Sequence, residues 1–229
     1  MPDLKAAIVP VTPFQQNCAL LWDDASKRGS VIDPGGEAGR IMDAIERVGM
    51  TVESILLTHG HLDHAGGAMD LKRRLAAAGL DVPIIGPDPR DRFLLDGIAE
   101  QARKYDIDDM ENATPDRWLT EGEQVTAAGI VFDVLHCPGH TPGHIVFASR
   151  SRGMAIVGDV LFQGSVGRTD FPYGDHAALL RSIAEKLLPL GDAVSFLCGH
   201  GPGSTIGAER RGNPYLAGLR PGTNAARAT

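Results

Sequence analysis

Three histidines and one aspartate fall within six residues, in His59-Gly60-His61-Leu62-Asp63-His64. Neutral imidazole and carboxylate are the usual nitrogen and oxygen ligands of zinc, and imidazole also suits iron. Six residues cannot easily wrap four such donors around one ion. Two neighbouring ions, each taking two of the four, is the easier geometry. Each ion then needs ligands from elsewhere, and three residues stand out. His140 lies in Cys137-Pro138-Gly139-His140-Thr141-Pro142-Gly143-His144, Asp159 in Val157-Gly158-Asp159, and His200 in Cys198-Gly199-His200-Gly201-Pro202. Each follows an apolar run that reads as a strand, and strand ends are where rigid scaffolds collect ligands and catalytic groups. Asp159 has two carboxylate oxygens and can bridge both ions. The other histidines read differently. His136 is expected inside a strand, His144 behind the ligands or in a strand, and His176 solvated at the start of a helix.

The elements that must position these residues follow from the spacing of apolar side chains. Short strands are predicted at 6–10, 18–22 and 29–32, the last running into the turn Asp33-Pro34-Gly35-Gly36. Ala38, Ile41, Ile45 and Val48 lie at helical spacing within 37–48. A buried strand at 54–57 leads straight into the histidine segment, and a helix is predicted over 65–78. A strand at 83–86 and a helical stretch near 89–104 follow, with a loop around 106–118. Further strands are predicted at 125–127, 130–136, 144–148, 154–157 and 193–197. Residues 159–174 read as a functional loop and 176–188 as an amphipathic helix. Each half repeats several strands, a strand ending in polar residues, and a helix. That order suggests two sheets packed face to face with helices outside. Residues 1–216 are expected to form one domain and 217–229 a mobile tail.

Composition narrows the partners. The chain has 229 residues, 43% hydrophobic and 22% charged, which is ordinary for a globular protein. The net charge of -7 and the lack of any basic run disfavour a nucleic-acid partner. The three cysteines, Cys18, Cys137 and Cys198, are too few and irregular for a disulfide framework. No signal peptide or bilayer-length apolar run is visible, so a cytoplasmic setting without membrane contact is expected. Oligomeric state is not legible.

Thr58-His59-Gly60-His61-Leu62-Asp63-His64 resembles the Thr-His-x-His-x-Asp-His signature of the metallo-β-lactamase superfamily. Asp33-Pro34-Gly35, Pro138-Gly139-His140-Thr141, Gly158-Asp159 and Gly199-His200-Gly201 resemble its other motifs, in order. The resemblance covers nearly the whole chain. It implies an α+β fold, the αββα sandwich of two mixed sheets with helices on the outer faces. Within the superfamily the chain resembles the short bacterial form of glyoxalase II. The supporting stretches are Pro10–Cys18, Leu135–His144 and Gly164–Pro172. That resemblance implies two divalent ions, zinc first, with iron or manganese as alternatives. One would take His59, His61 and His140, the other Asp63, His64 and His200, and Asp159 would bridge. It also implies hydrolysis of S-D-lactoylglutathione to D-lactate and glutathione, a step in methylglyoxal detoxification. Asp63 and Asp159 would serve catalysis with a metal-bridging hydroxide. Arg168 and Phe171 are candidate substrate contacts. One departure concerns the long form of that enzyme, which carries a C-terminal helical extension for glutathione; about thirty residues follow His200 here.

Rival readings share the fold. A persulfide dioxygenase would use one iron held by two His and one Asp, and it shares a stretch like Gly167–Phe171. Another superfamily hydrolase would act on a different ester, thioester or lactone. A metal-sensing module would keep the ligands but close the coordination sphere.

Overall fold

The computed structural model describes residues 2–219. Three antiparallel strands open the chain: β1 (Leu4–Val11), β2 (Gln16–Asp23) and β3 (Arg28–Ile32). The helix α1 (Ala38–Val48) then crosses over to β4 (Thr51–Leu56), which pairs parallel with β3. Parallel neighbours require such a crossover. Two short helices, α2 (Leu62–Ala65) and α3 (Ala68–Ala77), precede β5 (Ile84–Ile85), which completes a five-stranded mixed sheet in the order β1-β2-β3-β4-β5. After α4 (Arg92–Leu95) and α5 (Ile98–Lys104) comes the second sheet. Its strands include β6 (Gln124–Ala127), β7 (Ile130–His136), β8 (Ile145–Ser149) and β9 (Met154–Gly158). A small hairpin of β10 (Leu161–Phe162) and β11 (Ser165–Val166) leads to α6 (His176–Ser182). The chain closes with β12 (Ser195–Cys198), β13 (Ser204–Thr205) and α7 (Ile206–Gly212). The second sheet has six strands, in the order β13-β12-β9-β8-β7-β6, and is also mixed.

Period-two alternation explains how the layers stack. In β2, Cys18, Leu20 and Trp22 face α1 and α3 and pack with Ile41, Ile45, Leu71 and Leu75. Between them Ala19 and Leu21 face the other sheet and meet Phe132, Phe147 and Ile156. In β8, Ile145 and Phe147 join that inter-sheet core, while Val146 and Ala148 pack against Leu179, Ile183 and Leu187 of α6 and its continuation. Strands covered on both faces carry unbroken apolar runs, which is why Ile145–Ser149 is buried throughout. The expected αββα sandwich is therefore the observed one. Asp175 and Thr205 cap α6 and α7, accepting from the backbone N–H of Ala178 and Ala208. Each such cap contributes about 1 kcal/mol.

Several predicted elements differ in detail. The helix expected over 65–78 begins only at Ala68, as α3, and is separated from α2 because the poor helix former glycine occupies both Gly66 and Gly67. The stretch 89–104 breaks into a 3₁₀ turn, α4 and α5. The helix over 176–188 keeps α-geometry only to Ser182, then widens into a π turn over Ile183–Leu187. The loop 159–174 contains the β10–β11 hairpin. Of the tail expected from 217, residues 220–229 lie outside the described ones, and Leu219 packs against the α6 core. Among the described residues no helix is long and apolar enough to cross a membrane.

Candidate metal centre

All seven expected ligands converge where the ends of β4, β9 and β12 meet the loop after β7. The start of β2 closes this edge. Asn17 N–H donates to Gly199 O at 2.7 Å, and its side-chain amide donates to the carbonyls of Cys198 and Gly201. His61 Nδ1 lies 3.1 Å from His59 Nε2 and 2.9 Å from His140 Nε2. Beside this group, Asp63 Oδ2 lies 3.3 Å from His200 Nε2 and 3.9 Å from His64 Nε2. Asp159 stands between the groups. Its Oδ1 is 3.4 Å from His64 Nε2, and its Oδ2 is 3.6 Å from His140 Nε2 and 3.5 Å from His200 Nε2.

The outward-facing ring nitrogens decide the tautomers. His64 Nδ1 donates to Asp33 Oδ2 at 2.9 Å, and His140 Nδ1 donates to the carbonyl of Arg168 at 2.8 Å. His200 Nδ1 donates to the carbonyl of Phe14 at 3.2 Å. The Thr58 hydroxyl donates to Asp33 Oδ2 and accepts from His59 Nδ1 at 3.1 Å. His61 Nε2 meets the Tyr173 phenol at 2.8 Å. Outer partners of this kind are what orient metal-binding imidazoles. With the outer nitrogens protonated, the inner ones present lone pairs to one another and to two carboxylates. Among these inner atoms His64 Nε2 and Asp159 Oδ1 are buried without a hydrogen-bond partner. A dry cluster of lone pairs and carboxylate oxygens is costly by itself and is stabilised by a cation. The residues therefore fit divalent metal, and the His and Asp set suits zinc, iron or manganese.

Asp33 can also be grouped with His59 and His64 by distance. Its carboxylate is already engaged, however, by the backbone N–H and hydroxyl of Thr58 as well as by His64. It supports the ligands from behind, in a left-handed backbone conformation (φ 51°) that those bonds hold in place. His144 plays a similar part. It stacks on His59 at 4.6 Å, and its Nε2 accepts from the backbone N–H of Asp159. Gly158, at φ +49°, lets β9 turn Asp159 inward; a Cβ there would sit 2.6 Å from the Thr58 hydroxyl. His136 ends β7 and bonds the Pro142 carbonyl, and His176 is the first residue of α6. Both lie where the sequence places them.

Sequence reasoning missed Asp91 and Tyr173. Asp91 is fully buried and accepts from Gly60 N–H, the Thr141 hydroxyl and Gly143 N–H, so it ties the loop of His59 and His61 to the loop of His140. Within Pro-Asp-Pro-Arg-Asp it reads as a solvated charge, and no sequence signal marks it. Tyr173 carried a weak signal as an aromatic residue in a loop already suspected of function.

Electrostatics follow from the crowding. Burial is the main cause that holds His59, His61, His140 and His144 below the ordinary histidine value, His61 at about 3. For His64 burial acts downward too, but Asp159 and Asp63 outweigh it and raise the value well above normal. His200 is raised in the same way, by Asp63 and Asp159 against burial. A cation is thus favoured beside His64 and Asp159. For the metal-free protein this predicts acid lability. The depressed histidines bind fewer protons folded than unfolded, so their contribution is lost as pH falls from 6.5 toward about 3. His64 and His200 contribute oppositely, with stabilisation that fades as pH rises through their elevated values. The melting temperature of chelator-treated protein should fall on acidification from pH 6.5 to 4, and a rising profile in a thermal melt would contradict this balance.

A cavity of about 410 Å³ opens over the centre, walled by Phe14, Leu62, Tyr105, Phe162, Val166 and Phe171. Arg168 also lines it, but its guanidinium is bound by both oxygens of Asp170 and lies over the Phe171 ring. A wider cleft of about 710 Å³ lies beside the start of α1. It holds none of the expected ligands, and its Arg73 and Arg74 are paired with Glu111 and Asp70. The cysteines are free, and burial pushes the Cys137 thiol to about 12 and that of Cys198 to about 11.

The family model described as the metallo-beta-lactamase superfamily matches residues 11–200. The chain belongs to the metallo-beta-lactamase superfamily. With the relative below, this places the chain as a metal-dependent hydrolase of that superfamily, and its His and Asp cluster suggests divalent metal. A relative from Haemophilus influenzae, described as hydroxyacylglutathione hydrolase GloC, is 49% identical over 93% of this chain and 98% of its own. Two solved structures are also similar. One, of a B3 metallo-beta-lactamase called BLEG-1, is 35% identical with a TM-score of 0.84, over 93% of this chain and all of its own. The other, of TTHA1623 in a di-iron-bound form, is 36% identical with a TM-score of 0.79, over 92% of this chain and all of its own.

Proposed function

We propose that this chain is a thioesterase of the glyoxalase II type, hydrolysing S-D-lactoylglutathione to D-lactate and glutathione in cytoplasmic methylglyoxal detoxification. His59, His61 and His140 would hold one divalent ion, Asp63, His64 and His200 a second, and Asp159 would touch both. Zinc is the first candidate, with iron or manganese as alternatives. The observation that carries the reading is Asp159, whose two oxygens face imidazoles of both groups. The 49% identity to a hydroxyacylglutathione hydrolase supports the substrate.

Bound divalent ions would supply Lewis acidity toward water and toward a carbonyl oxygen. The protein's own groups do the rest. Asp63 faces the cavity and is suited to orient an attacking water and take its proton. The water oxygen bonds to the thioester carbon and the C–S bond breaks. The sulfur leaves as a thiolate, since a thiol of pKa about 8.5 needs no strong general acid. A thiol nucleophile is disfavoured, because burial raises all three cysteines. Ser165, the serine of the cavity wall, spends its hydroxyl on the Val166 carbonyl rather than on an imidazole. Phe171 packs at the wall, tilted against His61, and Arg168 would reach a carboxylate or amide of the thiol carrier at the rim by exchanging its Asp170 partner.

A mononuclear site of two His and one Asp would leave four of the seven donors facing the same space without a cation. The deciding experiment pairs elemental analysis of fresh protein with turnover of S-D-lactoylglutathione. Two metal equivalents and kcat/KM on the order of 10⁴ M⁻¹s⁻¹ or more are expected. Oxygen uptake with glutathione persulfide, or turnover of a β-lactam alone, would replace the reading.

A further inference from the structure

Four of the five inward-facing imidazoles rest on partners that, as placed, can only accept their outer proton. These are the Asp33 carboxylate, the Thr58 hydroxyl already committed to Asp33, and the carbonyls of Arg168 and Phe14. His61 alone rests on a phenol, that of Tyr173, at 2.8 Å. Tyr173 is half-buried and lies in the loop between β11 and α6, behind the cavity-lining Phe171. Its ring stacks on Phe171 (5.2 Å, 11°) and meets Phe93 edge-on (5.3 Å). The same short segment provides the Arg168 carbonyl that holds His140. Phe171, between them, touches both rings, at 4.9 Å from His61 and 5.8 Å from His140. One stretch of the substrate wall thus carries the outer support of two donors in the same group.

We propose that Arg168–Tyr173 is the outer scaffold of the His59, His61 and His140 group, with Tyr173 a positioning residue that sets this group's hold on its ion through His61. The proposal rests on the two-ion reading. It follows from geometry: with His61 Nδ1 turned toward His59 and His140, Nε2 carries the proton and donates to the phenol oxygen. That bond fixes the ring's rotation and makes Nδ1 a better donor. The Asp63, His64 and His200 group makes no contact with this hydroxyl.

The test is Tyr173→Phe, which removes one oxygen and leaves the ring contacts in place. Metal-free parent and variant are titrated with zinc alone against a chromophoric chelator. The expected result is one of two ions held about tenfold more weakly, the other unchanged, and a fall in kcat with KM kept within about twofold. In a His140→Ala background, which already lacks a donor of the first group, the same substitution should add no further weakening of the remaining ion. Unchanged affinity for both ions overturns the proposal. Equal weakening of both also overturns it, since that marks general loosening. The parent's stoichiometry in the same titration tests the two-ion reading separately. In a one-ion parent, tenfold weakening still supports the role of Tyr173 and unchanged affinity still rejects it. No substrate enters the titration, so failure of the thioesterase reading leaves this result standing.

Discussion

Asp159→Ala is expected to remove metal and activity together. The Asp159 carboxylate faces three imidazoles from two groups, each within 3.6 Å. Taking it away deletes one donor from each group and the negative charge that draws a cation between them. His140 would then have no carboxylate beside it, and His64 and His200 would keep only Asp63. The loss should exceed the roughly 10- to 100-fold that follows removal of an outer partner of a ligand. Elemental analysis and the thioester assay on one preparation check it. A variant with full metal and full turnover would end the two-ion scheme. The metal-free fold should survive, because Asp159 lies at the sheet edge and outside the three hydrophobic clusters.

Gly199→Ala should be nearly as damaging, by a steric route. A Cβ at this position would lie 2.0 Å from Asp159 Oδ1 and 2.5 Å from His64 Cε1. The backbone cannot retreat easily, because Gly199 N–H donates to Gly158 O and its carbonyl accepts from Asn17 N–H. His64 is equally fixed, buried and tied to Asp33. The added methyl must therefore displace the Asp159 carboxylate. Misplacement of a catalytic constellation by about 1 Å costs on the order of 100-fold in rate. The check is kcat/KM beside a thermal melt. Normal melting with at least 100-fold lower activity is expected, and wild-type turnover would show that Asp159 has room to move.

The convergence of the seven candidate residues was legible because they are His and Asp placed after apolar strands. His140, Asp159 and His200 could be singled out one by one from that position. The layers were legible too, since strands buried on both faces must read as apolar runs. What escaped notice depends on chain approach in space. Asp91 looks like any surface acid until the loops of His59 and Thr141 fold against it. Tyr173 acquires a partner only when the loop before α6 folds against His61. The α7 helix hid because Ile206-Gly207-Ala208-Glu209 offers little apolar periodicity and includes a glycine. Arg168 was singled out from the resemblance to glyoxalase II, and the sequence did not reveal that Asp170 already engages it.

The donors of each group come from both sheets: His59 and His61 follow β4 while His140 follows β7, and Asp63 and His64 follow β4 while His200 follows β12. An ion in either group would therefore be a rivet across the seam between the first half of the chain and the second. Unfolding has to part those halves, so it must release the ions first. At free metal 100 times the dissociation constant, each ion adds about 2.7 kcal/mol to the folded state. The availability of metal would then govern how long the protein persists as well as how fast it turns over.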